Sequence, residues 1–324
     1  MRKRDFLISL GALAALPAQA QQAQQAQQAQ QRVTRILVGA SAGGATDGLA
    51  RALANALSAQ LGGQFVVDNK AGAAGNIAAQ LASKAKPDGS TLFLCYTSHG
   101  INPSLYPDLP YDPVKDFTLL SYVASIPTIL IGSPSLKANS VPELVALAKA
   151  QPGRVTIGVP GMGSGGHMAT SLLAMESGAK FVVVPYKGAT QAVADVIGGQ
   201  IDAAFADVGV ARNLIRAGTV KALGINSRTR LDSFPTVPAI SEMIPGFDLP
   251  GWFGLMGPAG MDKAMAQRFT EAVQKALAAG ELRDRLTSDG FTVVGSNGEQ
   301  FGQFLDQQIA LYRKIIKATD AKRE

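Results

Sequence analysis

Two glycine-rich loops, each set between a β-branched run and a helix-patterned segment, constrain this chain more than any other feature. The first, Ser41-Ala42-Gly43-Gly44-Ala45-Thr46-Asp47, follows Val33-Thr34-Arg35-Ile36-Leu37-Val38. The second, Gly161-Met162-Gly163-Ser164-Gly165-Gly166-His167, follows Val155-Thr156-Ile157-Gly158-Val159. A strand, a bare loop and a helix start together leave backbone N–H groups unpaired at the positive end of a helix, which favours an anion. The two units stand about 120 residues apart. That spacing predicts two lobes able to close on one small anion.

Residues 1–20 read as an export signal. Arg2, Lys3 and Arg4 form a basic start, Phe6 to Leu16 an apolar stretch, and Ala18-Gln19-Ala20 a small-x-small cleavage site. The apolar stretch is too short to span a bilayer. Lys3-Arg4-Asp5-Phe6-Leu7 also resembles a twin-arginine signal with one arginine replaced, so the export route stays open. Residues 21–31 continue a Gln-Gln-Ala repeat with no apolar face and are expected to be a disordered leader. The formal charge is +6, falling to +4 once Arg2, Lys3, Arg4 and Asp5 are removed. Acids and bases are interspersed and no basic stripe alternates with aromatics, which argues against a nucleic-acid partner. Cys95 is the single cysteine, set in the apolar run Thr91 to Tyr96, so no internal disulfide can form and a buried inert thiol is expected.

Short β runs alternate with amphipathic stretches along the rest, which predicts an α/β chain of mostly parallel sheets flanked by helices. Leu49, Leu53 and Leu57 mark the first helix, with Thr46 expected as its N-cap and Asp47 in its first turn. Residues 102–113 carry four prolines and are expected to be irregular. Val123 to Ile131, broken at Pro127, reads as an edge or crossover strand, and Trp252 to Met256 as a strand returning to the first lobe. Helices near 142–150, 167–177, 189–198 and 208–216 alternate with strands near 155–159, 181–184, 202–206 and 220–225. Residues 32–125 plus 250–324 are therefore assigned to lobe 1 and residues 126–249 to lobe 2, joined by two crossing strands.

Candidate ligand contacts follow from the carboxyl ends of the strands, where such folds bind. Ser41, Gly43, Gly44 and Thr46 form the first anion site, where glycine lets backbone approach closely. Ser98 and His99 follow the third strand at the crevice edge, and His99 has the chemistry to donate to a carboxylate. Ser164 and His167 open the second unit, with a capping role for His167 equally open. Lys187, Gly188 and Ala189 close a strand and open a helix; the lysine side chain has a solvated reading as well. Asp207 either caps the next helix or accepts a proton from a ligand group. Trp252, the only tryptophan, fits core packing at the lobe junction better than stacking on a ligand.

Other chemistries fit poorly. Gly161-x-Gly163-x-x-Gly166 spells a dinucleotide fingerprint, but the next strand ends Val184-Pro185-Tyr186-Lys187, with no acid for a ribose. Met162 stands where a nucleophile elbow at Ser164 needs glycine. His99 and His167 have no cysteine or carboxylate partner at metal-ligand spacing, so no metal or cofactor is expected.

Several longer strings carry a resemblance. They include Gly43-Gly44-Ala45-Thr46-Asp47-Gly48-Leu49-Ala50-Arg51, Val67-Asp68-Asn69-Lys70-Ala71-Gly72-Ala73-Ala74-Gly75-Asn76 and His99-Gly100-Ile101-Asn102-Pro103-Ser104-Leu105-Tyr106. Leu109-Pro110-Tyr111-Asp112-Pro113, Val184-Pro185-Tyr186-Lys187-Gly188 and Trp252-Phe253-Gly254-Leu255 continue it. Across nearly all of the mature sequence the chain resembles the periplasmic solute-binding receptors of the tripartite tricarboxylate transporter class, known as Bug proteins. The resemblance implies a two-lobe Venus-flytrap fold, no enzymatic activity, and capture of a small carboxylate in the periplasm by a monomer that delivers it to permease subunits in the membrane. It implies that the first glycine loop holds one ligand carboxylate, with main-chain and water-mediated bonds from both lobes. The family usually has Pro-Phe-x-Pro before the first Gly-Gly, where this chain has Gly39-Ala40-Ser41-Ala42. The missing aromatic implies a wider pocket mouth and a bulkier acid. Two rival readings remain: a loaded receptor signalling to a sensor kinase, and a periplasmic hydrolase using Ser164 with His167 or His99.

Overall fold

The computed structural model describes residues 33–319 and residue 321. The expected export signal, the Gln/Ala leader and residue 32 lie outside the described residues. The β-branched and leucine runs form strands: β1 (Val33–Val38), β2 (Gln64–Asn69), β3 (Thr91–Tyr96), β4 (Phe117–Ile126), β5 (Thr128–Gly132), β6 (Thr156–Val159), β7 (Val182–Pro185), β8 (Ala203–Asp207), β9 (Lys221–Ile225), β10 (Gly251–Pro258) and β11 (Thr292–Val293). Between them lie α1 (Ala45–Leu61), α2 (Asn76–Ser83), α3 (Ser98–Leu105), α4 (Val141–Ala150), α5 (Gly165–Ser177), α6 (Ala189–Ile197), α7 (Val208–Arg216), α8 (Lys263–Ala278), α9 (Glu281–Ser288) and α10 (Gly298–Thr319).

The strands build two sheets, ordered β11-β4-β10-β3-β1-β2 and β7-β6-β8-β5-β9. Both are mixed, where mostly parallel sheets were expected. β2, β1 and β3 run parallel, as do β7, β6 and β8. β10 lies antiparallel between β3 and β4, and β5 antiparallel between β8 and β9. The parallel halves need crossover helices and have them; the strands that pass between sheets enter from the opposite direction and pair antiparallel. β4 ends at Ile126, Pro127 interrupts the ladder, and β5 opens at Thr128 in the other sheet.

Buried Asn226 ties the two crossing segments together. Its backbone N–H donates to Thr128 O at 3.0 Å and its Oδ1 accepts Thr128 N–H at 2.7 Å. On the other side its Nδ2 donates to Leu249 O at 3.0 Å and its carbonyl accepts Leu249 N–H at 3.1 Å. α10 runs from one core to the other. Phe301 and Leu305 pack with Trp252, Phe93 and Met256, whereas Tyr312 and Ile315 pack with Met168, Leu172 and Leu173 of α5. Gly254 makes the first contact possible, since a Cβ there would lie 2.0 Å from Phe301 Cζ.

Two local expectations need correction. The N-cap of α1 is Gly44, with Thr46 one position inside the first turn. Residues 98–105 are helical although Pro103 lies inside, so the irregular stretch starts at Tyr106. Asn102 Nδ2 and Ser98 Oγ both donate to Ala74 O, at 3.0 and 2.8 Å, and these side-chain anchors hold α3 in spite of the missing N–H. α9 is short and polar, with Leu286 its one buried residue. Trp252 is core, 1 % exposed and edge-on to Phe301 and Phe304. Cys95 is fully buried, and burial pushes its thiol pKa up.

Candidate functional site

The first glycine loop owes its shape to Asp47. Gly43 adopts φ +87°, and its N–H donates to Asp47 Oδ2 at 3.0 Å. Arg51 Nε reaches the same oxygen at 3.0 Å, one turn further along α1. These partners hold the Asp47 carboxyl at about 2, below the usual carboxylate range, with the Arg51 bond the larger cause and the Gly43 N–H the second. The first intrahelical bond of α1 runs from Gly48 N–H to Gly44 O. The N–H groups of Gly44, Ala45 and Thr46 have no partner among the described residues, and Ser41 to Ala45 are exposed. A rigid loop therefore presents free donors at a helix start.

The second loop repeats the device with different chemistry. Gly163 has φ +74°, and its N–H donates to His167 Nδ1 at 3.0 Å. Ser164 is the N-cap of α5: its Oγ accepts His167 N–H at 3.2 Å and donates to Gly161 O at 2.7 Å. In both loops the residue before the N-cap donates its N–H to the side chain of the third helical residue, aspartate in one and histidine in the other. α6 does so again, since Lys187 N–H donates to Gln191 Oε1 at 3.3 Å, with Gly188 as N-cap and Ala189 first in the helix. Burial lowers the His167 pKa, consistent with a neutral ring whose Nδ1 accepts. Neither His99 nor His167 bonds Ser164 Oγ through its ring; the hydroxyl is spent on the cap.

Ser98 and His99 sit deeper than a crevice edge. Ser98 is 6 % exposed and His99 3 %. The His99 ring stacks on Tyr111 with centroids 5.7 Å apart and meets Phe93 and Phe117 edge-on. Its Nε2–H donates to Pro113 O at 2.9 Å, and its Nδ1 has no partner among the described residues. Burial holds its pKa at about 4. The neighbouring polar network passes from Tyr111 and Asn102 to Asn76 Oδ1, both at 2.6 Å, and on to Ala74 O. It secures Ala73 and Ala74 at φ +46° and +53°, a backbone region that costs a non-glycine residue roughly 1–2 kcal/mol.

Gly163 and Gly165 lie against Leu105 and Thr97 of the other lobe. Beside the hinge, a cavity of about 260 Å³ is walled by Ala45, Gly48, Leu49 and Ala52 of α1, by Ile126, and by Asp207, Gly209 and Val210. Arg285, Leu286, Asp289 and Phe291 close it from the third side. Asp207 occupies the N-cap position of α7 without capping it, and its carboxylate has no hydrogen-bond partner among the described residues. Desolvation raises its pKa. Asp207 and Ala45, the first residue of α1, thus line one cavity. Ser98 and His99 line a separate gap too tight for a water, with Ala74, Gly75 and Asn102, while Ser41, Gly43, Gly44, Thr46, Ser164, His167, Lys187, Gly188 and Ala189 line neither space. Gly48, Gly209 and Arg285 escaped the sequence reading. An isolated glycine inside a helical pattern was the available signal for Gly48. Among the described residues no group of three or more His, Cys, Asp or Glu is placed to hold a metal ion.

Residues 49–321 match the family model described as Tripartite tricarboxylate transporter family receptor. Protein BugT of Bordetella pertussis is 33 % identical over 294 residues, covering 90 % of each chain. An R. palustris protein solved with adipate superposes with TM-score 0.79 at 28 % identity, over 90 % of this chain and 99 % of that one. MatC from Rhodopseudomonas palustris, solved with bound malate, gives 0.76 at 28 % identity, over 88 % and 99 %.

Proposed function

This chain belongs to the tripartite tricarboxylate transporter receptor family of solute-binding proteins, and on that premise we propose that it captures a small carboxylate between its lobes in the periplasm and presents it to permease subunits in the membrane. The observation that carries the reading is the interlobe cavity, at whose edge α1 begins with unpartnered N–H groups held rigid by Asp47 and Arg51. A carboxylate seated there meets the positive end of the helix and several donors aligned before it arrives. Each charge-assisted bond contributes roughly 1.5–3 kcal/mol. The relatives solved with adipate and malate support a carboxylate. The residues of the site bind and orient; nothing in their arrangement moves a bond.

Ala45→Pro tests this directly. Proline is tolerated at the first helical position, and Gly44 already has the extended backbone (φ −87°, ψ 175°) that precedes proline. The variant deletes one donor while keeping the fold. Titration calorimetry of the mature chain against a carboxylate panel is expected to find a ligand, and the variant is expected to bind it about 10- to 100-fold more weakly with an unchanged melting temperature. Equal affinities would place the carboxylate elsewhere.

A further inference from the structure

We infer that the ligand is a monocarboxylate with an apolar body, which lies along α1 in the cavity beside the hinge; this rests on the proposed anchoring of its carboxylate at the start of α1. Ala45, Gly48, Leu49 and Ala52 share one helical face, so the cavity runs from the anion end of α1 along about two turns, roughly 10 Å. Its remaining walls are largely Ile126, Val210, Leu286 and Phe291. Two glycines hold it open. Gly48 stands inside a helix, where alanine would be more stable by about 1 kcal/mol, and Gly209 stands in the first turn of α7. A Cβ at either position would meet nothing within 4 Å. The missing side chains are therefore not demanded by packing, and their absence leaves room for a guest.

The charges in the cavity argue against a second carboxylate. Its one cation, Arg285, has Asp289 one turn on, with Nε 3.8 Å from Oδ2. The other charged group is Asp207, an acid with no partner among the described residues to offset it. A dicarboxylate would bring a second negative charge into a cavity that already holds two acids and one shared cation, with the repulsion strengthened by the desolvated wall. A hydrocarbon body meets no such opposition. Burying it contributes roughly 0.8 kcal/mol per CH₂ group.

The mature chain, refolded free of carried-over ligand, is titrated with hexanoate, cyclohexanecarboxylate, adipate, malate and citrate. One of the monocarboxylates is expected to bind at least about tenfold more tightly than adipate. Gly48→Leu, which grows into the cavity and improves helix propensity, is expected to lose that binding about tenfold or more while the melting temperature holds or rises. Asp207→Asn is expected to narrow the preference over adipate. Adipate, malate or citrate binding as tightly as the monocarboxylates, or Gly48→Leu binding normally, overturns the inference and leaves the receptor reading standing. Silence across the whole panel overturns both.

Discussion

Asp47 shows how much one carboxylate can organise. Its Oδ2 ties Gly43 into the left-handed region and pairs with Arg51, so the donors beyond it face outward without searching for a conformation. Asp47→Asn removes the charge from both bonds and is expected to cost about 1–3 kcal/mol near neutral pH. The folded-state pKa is depressed to about 2, so this contribution is present above the ordinary carboxylate value and is lost as pH falls through about 2. Denaturation of wild type and variant at a series of pH values should show the gap closing between about 4 and 2. His99 also weakens the fold as pH falls, for a different reason. Its pKa is held at about 4 by burial, so the unfolded chain takes up a proton first and the fold weakens as pH drops from about 6.5 towards 4. His99→Gln should flatten that limb by an amount of order 3 kcal/mol. An unchanged slope would mean that the ring gains solvent or a partner when it is charged.

At the scale of elements, three helix starts use one device, a backbone N–H returned to the side chain of the third helical residue. Aspartate, histidine and glutamine serve in turn, so the loops share geometry while only the first carries a full charge. Ser164 belongs to this architecture. Ser164→Ala is expected to cost about 1 kcal/mol, a fall in melting temperature of roughly 2–4 °C, through loss of the cap. Asn226 matters more, because it joins the β4–β5 crossing to the segment returning into β10. Asn226→Ala leaves the Thr128 N–H and the Leu249 carbonyl without that partner in a buried hinge and is expected to cost roughly 2–4 kcal/mol by denaturant unfolding.

For the whole molecule, α10 decides how independent the two lobes are. Its first half is packed beneath the six-stranded sheet and its second half against α5, so the lobes share a third connection besides the crossing strands. Tyr312→Ala is expected to cost about 3–5 kcal/mol, as large aromatic truncations do. The neighbouring Trp252 is the chain's only tryptophan and reports the change by fluorescence. With this helix spanning both cores, Trp252 fluorescence and far-ultraviolet circular dichroism should give one coincident transition. Two separated transitions would mean that the lobes unfold apart.

The alternation of β-branched runs with helical periodicity determined the α/β character and nearly every element of the second sheet, because those signals are local. The two glycine loops were legible for the same reason: a left-handed glycine before a helix is a property of a few consecutive residues. His99 and Pro103 show where local signals stop. A histidine after a strand reads alike whether it faces a cleft or a box of Phe93, Tyr111 and Phe117, and those rings arrive from other elements. The prolines after Asn102 read as loop until Ala74, contributed from another loop, supplies an acceptor for Ser98 and Asn102. The cavity was only partly legible, since Asp207 stood out at the end of its strand whereas Gly48 and Arg285 did not. Gly48, Asp207 and Arg285 are separated by many residues in the chain, and only the return of the C-terminal segment to the first sheet sets them around one space. Backbone conformation is decided by neighbours in sequence, whereas the shape and charge of a site are decided by neighbours in space.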